Sequence, residues 1–524
     1  MQKSIRQSMA WFHSWIGLSF GWLLFAIFLT GSISYYRQEI NIWMQPHFAT
    51  QQIKQDTAIQ SAQQYLQTHA PDAKNWYIGV ANPHTPVNKI YWQKADGQYE
   101  SKTLDANTGK ELTLSSTLGG DFIYSFHYQL YGVPYFIGRL IVTFAAFIMF
   151  LTLISGIITH KKIFADFFTL RAFKGQRSYL DFHNVSSVIA LPFFLTITFT
   201  GLAIFFYILL PNGMKTAYPD NPFQYFEEIR NVSVKDENIV YSPATMRGIE
   251  FFLTQKNNKW GNTHIENVSY QNPNTNQAKI TLTELQDRSI TRNQAQLTFN
   301  AHTGQILEDI RNRSATATVN SAMYGLHMAR YAQPLLRLAL FFSGLLGCAM
   351  IASGLLLWSL KRQIQNKQNH FHIGHYLVNR LNITALLGLP LALLCYLFAN
   401  RVFTLNANTP NYEVYAFFSA WLFCFLAGLF TPQHLLWKSA LKLTILLSFA
   451  LPIWDAIYLI HNQYISEWQD YWVFLRVDLM ILLFGIMFIY LHQNIQPIQQ
   501  KSIEKIQKRL SKKQSSEPQS ESKS

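Results

Sequence analysis

An apolar span is written twice in this chain. The run FHSWIGLSFGWLLFAIFLTG occupies Phe12 to Gly31, and FHNVSSVIALPFFLTITFTG occupies Phe182 to Gly201, 170 residues later. Each opens with a histidine and closes on Thr-Gly, so a membrane-crossing helical unit has been duplicated with its histidine kept. A second echo, at an offset of 200, repeats Tyr124, His127, Tyr131 and Pro134 as Tyr324, His327, Tyr331 and Pro334. Repeated histidines at membrane boundaries suit ligands of buried haem, and haem across a membrane suits electron transfer.

The 524-residue chain is 49% hydrophobic and only 14% charged, too apolar for an ordinary soluble enzyme. Runs of about 18 or more apolar residues cross a hydrocarbon layer as a helix. They fall near 14–36, 136–159, 184–210, 335–359, 376–399, 414–431, 435–460 and 471–492. The reading is an integral membrane all-α bundle of about eight spans. Pro432, Pro452 and Asp455 interrupt the last three; a buried aspartate in a span is costly and often functional, unless Asp455 sits at a helix end.

Basic residues fill alternate connections: Lys3 and Arg6 before span one, Lys161, Lys162, Arg171, Lys174 and Arg177 after span two, Lys361, Arg362 and Lys367 after span four. Lys438 and Lys442 start span seven, and Lys501, Lys505, Lys508, Arg509, Lys512 and Lys513 follow span eight. The bias places both termini inside. Topology and anionic lipid headgroups then account for most of the net charge of +14, which leaves no reason to invoke nucleic acid. Span one is too long and too lightly preceded by charge to read as a cleaved signal, so it is expected to stay as an anchor. Cys348, Cys395 and Cys424 all lie in spans, which excludes a disulfide framework and a cysteine metal site.

The expected organisation is a helix over 1–36, an outer domain over 37–126, two helices and a basic loop over 127–210, and a second outer domain over 211–326. Helices over 327–399, three further spans over 400–492 and a disordered basic tail over 493–524 complete it. Strand character is visible at Tyr77–Val80, Ile90–Gln93, Lys279–Leu282 and Gln296–Asn300. Each loop also carries a hairpin turn, LDANTGKEL at Leu104 to Leu112 and FNAHTGQIL at Phe299 to Leu307.

These features together resemble the PepSY-associated transmembrane family, bacterial inner-membrane proteins linked to iron acquisition. The resemblance rests on His13, Trp15, Gly17, Leu18 and Gly21 of the H-x-W-x-G-L-x-x-G opening, on Thr30-Gly31, on the paired D/N-A-x-T-G hairpins and on the second histidine-bearing span, and it covers about residues 5–400. It implies a helical membrane core with two small α+β periplasmic PepSY domains. Some members resemble ferric siderophore reductases carrying two b-type haems, so that activity is implied by resemblance.

A b-type haem needs two facing imidazoles, cationic or polar groups near its propionates and an apolar, aromatic sheath. The duplicated pairs suggest one haem on His127 and His327 at the outer side and one on His13 and His183 at the inner side. His160 closes span two at the same depth and competes for either inner place; all of these histidines also suit interfacial positions beside Trp and Tyr. Arg139 and Arg337 enter spans two and four at comparable depth, to pair with propionates or to snorkel to the interface. Gly17, Gly21, Gly31, Gly156, Gly201 and Gly354 permit close helix packing or a cofactor face.

His370, His372 and His375 are spaced for a metal but read as solvated linker histidines. His434, His461 and His492 sit singly at span ends, and His47, His69, His84, His264 and His302 lie in the outer loops. Trp76, Tyr77, Tyr91, Trp92 and Trp260 line either a docking surface or a strand core.

No P-loop, dinucleotide fingerprint, H-E-x-x-H or nucleophile elbow is present. Electrons would come from a separate donor, membrane quinol or a cytoplasmic reductase, and leave to a ferric siderophore or other ferric chelate outside. Fe²⁺ binds hard oxygen donors far less tightly than Fe³⁺, so reduction would loosen the chelate. The competing readings are a non-enzymatic PepSY sensor or binding protein and a permease for siderophore-bound iron.

Overall fold

The computed structural model describes residues 4–46, 53–82, 85–94, 96–112, 117–160, 176–221, 224–230, 242–285, 289–291, 294–311, 314–365, 371–403, 408–465 and 468–514. Its first elements are α1 (Ile5–Ser34), α2 (Arg37–Met44), α3 (Gln55–His69), β1 (Asn75–Gly79), β2 (Val87–Gln93), β3 (Tyr99–Asp105), α4 (Gly119–Gln129) and α5 (Tyr135–Thr159). Next come α6 (Gln176–Ile189), α7 (Leu191–Ile204), α8 (Phe206–Leu209), α9 (Pro211–Ala217), α10 (Gln224–Arg230), α11 (Ile249–Trp260), β4 (Ile265–Gln271), β5 (Lys279–Glu284), β6 (Gln296–Asn300) and β7 (Ile306–Ile310). The chain finishes with α12 (Ala315–Met328), α13 (Pro334–Gln365), α14 (Ile373–Ile383), α15 (Leu389–Val402), α16 (Thr409–Phe430), α17 (Gln433–His461) and α18 (Trp468–Gln514).

Among the described residues, seven helices are long and apolar enough to cross a membrane: α1, α5, α13, the continuous stretch Ile373–Val402, α16, α17 and Tyr471–Asn494 of α18. The third expected span is bent, because α6 and α7 meet at 67°. Pro192 lies in the first turn of α7, where its missing N–H and its ring stop α6 from continuing straight. Counting the bent pair as one span gives the eight that were expected.

A turn of π-helix at Thr384–Gly388 joins α14 to α15. Pro390 follows it and disturbs the ladder one turn back, and Trp421 Nε1 donates to the Thr384 carbonyl at 2.9 Å. Pro452 is absorbed inside α17. Asp455 is fully buried within the same helix rather than at its end.

Two expectations need correcting. The tail over 493–524 was expected to be disordered apart from a short amphipathic stretch, but α18 runs to Gln514, because Lys, Gln, Glu, Ile and Leu dominate this stretch and favour helix. Residues 515–524 lie outside the described residues, as do Lys161, Lys162, Arg171 and Lys174 of the expected basic loop and His47, His84 and His370. The two outer loops were expected to fold as separate domains. They instead share one antiparallel sheet of order β3-β2-β1-β4-β5-β6-β7.

The seam is the pairing of β1 with β4, Trp76 opposite Tyr270 and Ile78 opposite Val268. Joining there removes two sheet edges that separate domains would leave open. Trp76, Ile78, Ile90, Val268, Tyr270, Ile280, Leu282, Leu297 and Phe299 bury one continuous face beneath α3 and α11. The expected strands match β1, β2, β5 and β6 with shifts of a few residues at their ends.

The two hairpin turns are built alike. Asp105 Oδ1 accepts from the Asn107 and Thr108 amides at 3.1 and 2.7 Å, and Asn300 Oδ1 accepts from His302 and Thr303 at 3.0 and 2.8 Å. Gly109 and Gly304 follow with φ of +66° and +81°, the left-handed region that favours glycine. The second turn feeds β7; among the described residues the first returns as the bridge Leu104–Glu111.

Candidate functional site

The helices bring the duplicated histidines together in two pairs. The rings of His13 and His183 lie 6.2 Å apart, centre to centre, and those of His127 and His327 lie 6.1 Å apart. The first pair is nearly perpendicular, at 77°, and the second nearly parallel, at 28°. All four are half-buried. Two imidazoles on opposite sides of one metal, each nitrogen about 2 Å from it, have ring centres about 6 Å apart.

The same seat is built four times. His13 Nδ1 lies 3.0 Å from the Thr152 carbonyl and 3.3 Å from Ser155 Oγ, His183 Nδ1 is 2.8 Å from the Met350 carbonyl, and His127 Nδ1 is 2.8 Å from the Ile27 carbonyl. His327 Nδ1 is 3.1 Å from Thr200 Oγ1 and also meets the Ile197 carbonyl. Each of these carbonyls belongs to the residue four positions before a glycine: Gly156, Gly354, Gly31 and Gly201. A Cβ on those glycines would stand 3.2, 3.1, 2.7 and 3.0 Å from the nearest atom of the corresponding ring. The glycine removes the methyl that would block the ring, and the carbonyl one turn earlier takes the Nδ1 proton. That hydrogen bond leaves Nε2 as the acceptor atom, the arrangement typical of a metal-bound histidine. Among the described residues no hydrogen bond is found at any of the four Nε2 atoms.

Helix α1 spans both sites, with His13 in its third turn and Gly31 in its last. At a rise of 1.5 Å per residue the two positions lie about 27 Å apart along it, close to the depth of a hydrocarbon layer. Between them lie the aromatic contacts Phe20–Phe144, Phe28–Phe194 and Phe150–Phe199, at 5.7, 6.0 and 6.5 Å; Phe194 is buried in the bundle, whereas Phe144 and Phe199 face outward.

His160, which competes for the inner place by sequence, caps α5 and bonds Asn184 Nδ2 through Nε2 at 2.9 Å. Arg139 bonds Tyr135 and lies 3.8 Å over its ring. Arg337 pairs with Glu39 and lies 4.8 Å over Tyr36. Among the described residues, Nε of each arginine is buried without a partner.

The other candidates scatter. His372 and His375 stack at 4.4 Å, and no group of three or more His, Cys, Asp and Glu suited to a metal occurs among the described residues. Trp76 and Trp92 belong to the sheet core, whereas Tyr77 and Tyr91 stack at 4.7 Å and Tyr91 is exposed. A surface pocket of about 520 Å³ is lined by Tyr65, His69, Trp92, Lys94, Lys102 and Glu111, among others, and by none of the paired histidines. There the Lys102 ammonium holds the Glu111 carboxyl below its usual range.

The glycine seats are what sequence reasoning missed. Six glycines stood out, and four of them touch histidine rings; Gly21 instead meets Leu355, and Gly17 has open space. The available signal was that the Thr-Gly pairs repeat at the same offset as the histidine-opened spans.

No curated protein matches the chain. A family model described as PepSY-associated TM region covers residues 10–361, which take in both histidine pairs, all four glycine seats and the shared sheet. The chain is a member of the PepSY-associated transmembrane family.

Proposed function

We propose that this chain is an electron-transfer protein of the bacterial inner membrane that reduces ferric siderophores or other ferric chelates at the periplasmic face, for iron uptake. The observation that carries the reading is the pair of facing imidazoles at each end of α1, held in four equivalent seats. His13 with His183, and His127 with His327, would each hold one b-type haem. Haem, when bound, supplies a one-electron carrier that tolerates an apolar interior. The carbonyl of the facing helix fixes each ring's tautomer and direction, and the adjacent glycine lets the ring approach. Arg139 and Arg337 would place guanidinium groups at the outer site for propionates.

The alternation of basic connections supports a periplasmic position for the shared sheet. The open face that carries Tyr77 and Tyr91 would then be a docking surface for the chelate. Electrons would arrive from membrane quinol or a cytoplasmic reductase. A purely sensory or transport role gives the four seated imidazoles no task.

The test is stopped-flow mixing of the dithionite-reduced protein, freed of excess reductant, with a ferric chelate and a ferrous-specific dye. Reoxidation of the protein with equal formation of the ferrous dye complex is expected, and it should be lost in His127→Ala. A reduced protein that stays reduced in the presence of accessible ferric chelates overturns the reductase reading.

A further inference from the structure

A second buried constellation lies where the helices beyond residue 361 meet α2. Arg401 of α15 donates through Nε to Asp455 of α17, through Nη2 to the Trp43 carbonyl of α2, and through Nη1 to Asn400 Oδ1 at 2.6 Å. Its guanidinium lies 3.8 Å over the Trp43 ring and 5.1 Å from the Tyr458 ring. Trp43 Nε1 in turn donates to Asp478 of α18 at 3.1 Å. Arg401, Asp455 and Asp478 are 2, 0 and 1% exposed.

Charge does not balance in this cluster. Among the described residues, Arg401 is the one cation in contact with it, against Asp455, Asp478 and, through Asn400 Nδ2 at 2.7 Å, Glu413. Burying a net negative charge in a helical bundle is costly enough that such groups take up a cation or neutralise. Both Asp455 Oδ2 and Asp478 Oδ2 are buried with no hydrogen-bond donor. The two carboxyl groups nevertheless lie within hydrogen-bonding reach of each other. Two ionised carboxylates are acceptors only and repel; one proton between them turns the contact into an O–H···O bond and leaves Arg401 with a single counter-ion.

We propose that Asp455 and Asp478 form an intramembrane binding site for one exchangeable proton. Tyr471, half-exposed at the start of the α18 span, reaches Asp478 and gives the proton a route to the surface. On the other side the network continues from Asn400 to Glu413, whose Oε2 accepts from Thr117 Oγ1 at 2.7 Å and the Leu118 amide at 3.3 Å, just before α4, the helix that carries His127. The network thus runs from the carboxylate pair to the start of the helix that carries His127. The site itself stands on the carboxylates and does not depend on the proposed haem.

Infrared spectroscopy of the full chain in lipid nanodiscs tests it. At neutral pH the wild type should show a protonated-carboxyl stretch that shifts in heavy water and fades on alkaline titration. Asp478→Asn, which imitates the protonated acid, should fold normally and lose the band entirely, whereas Glu413→Gln should keep it. A folded wild type with no such band, or a band that Glu413→Gln removes and Asp478→Asn leaves intact, overturns the proposal. Because the wild-type titration alone can show the band absent, the proposal stays open to refutation if a variant does not fold.

Discussion

A methyl group added at Gly31 would lie 2.7 Å from both Cε1 and Nδ1 of His127, closer than real Cβ contacts allow, so the ring must leave its seat. Gly31→Ala is expected to lower the haem-to-protein ratio of the purified protein from about two toward one. Gly17→Ala, on the same helix with open space around it, should leave the ratio unchanged and raise helix propensity by about 1 kcal/mol. Arg401 poses a different residue-scale question, because its partners are as buried as it is. Arg401→Ala strands a buried carboxylate and should cost about 3–5 kcal/mol. Arg401→Lys should recover only part of that, since an ammonium cannot reproduce the forked bonds to Asp455, Asn400 and the Trp43 carbonyl. Thermal unfolding in detergent measures both.

Among the elements, the sheet seam is the sharpest test of how the two loops are joined. Ser269 lies in β4 with β1 on one side and β5 on the other, facing Tyr77 and Thr281. Ser269→Pro removes a ladder donor in the middle of the sheet and is expected to cost about 3 kcal/mol or more. Leu307 sits at the register shift of edge strand β7, where Leu307→Pro should be tolerated. Limited proteolysis should cut the first variant much faster than the second. The individual strands were legible because their polar and apolar alternation and their Asx-Gly turns are local signals. The β1–β4 seam was not, because it pairs Asn75–Gly79 with Asn267–Gln271, nearly two hundred residues away, and nothing local to either strand names its partner. The same holds for the α6–α7 bend: Pro192 was in plain view, but its ring does not announce whether the chain kinks by 67° or merely starts a new turn.

For the whole molecule, duplication was the most readable property. Repeats at fixed offsets suggested pairing His13 with His183 and His127 with His327, and in the fold these rings lie 6.2 and 6.1 Å apart. Residues acting through backbone were invisible: the carbonyls of Thr152, Met350, Ile27 and Ile197 carry no side-chain signature, so the glycines beside them read as ordinary packing positions. The helices beyond residue 361 were also opaque, because Arg401, Asp455 and Asp478 lie on three different helices and become a cluster only when folded. Under the proposed function, each facing histidine pair would hold its own haem. This is tested most directly by reduced-minus-oxidised visible spectra, with haem quantified per chain, of the wild type, His127→Ala and His183→Ala. The expected result is a b-type spectrum near two haems per chain that loses about half its amplitude in each variant, with a different half lost in each. A wild type without haem when haem supply is ample, or full amplitude in both variants, would contradict it.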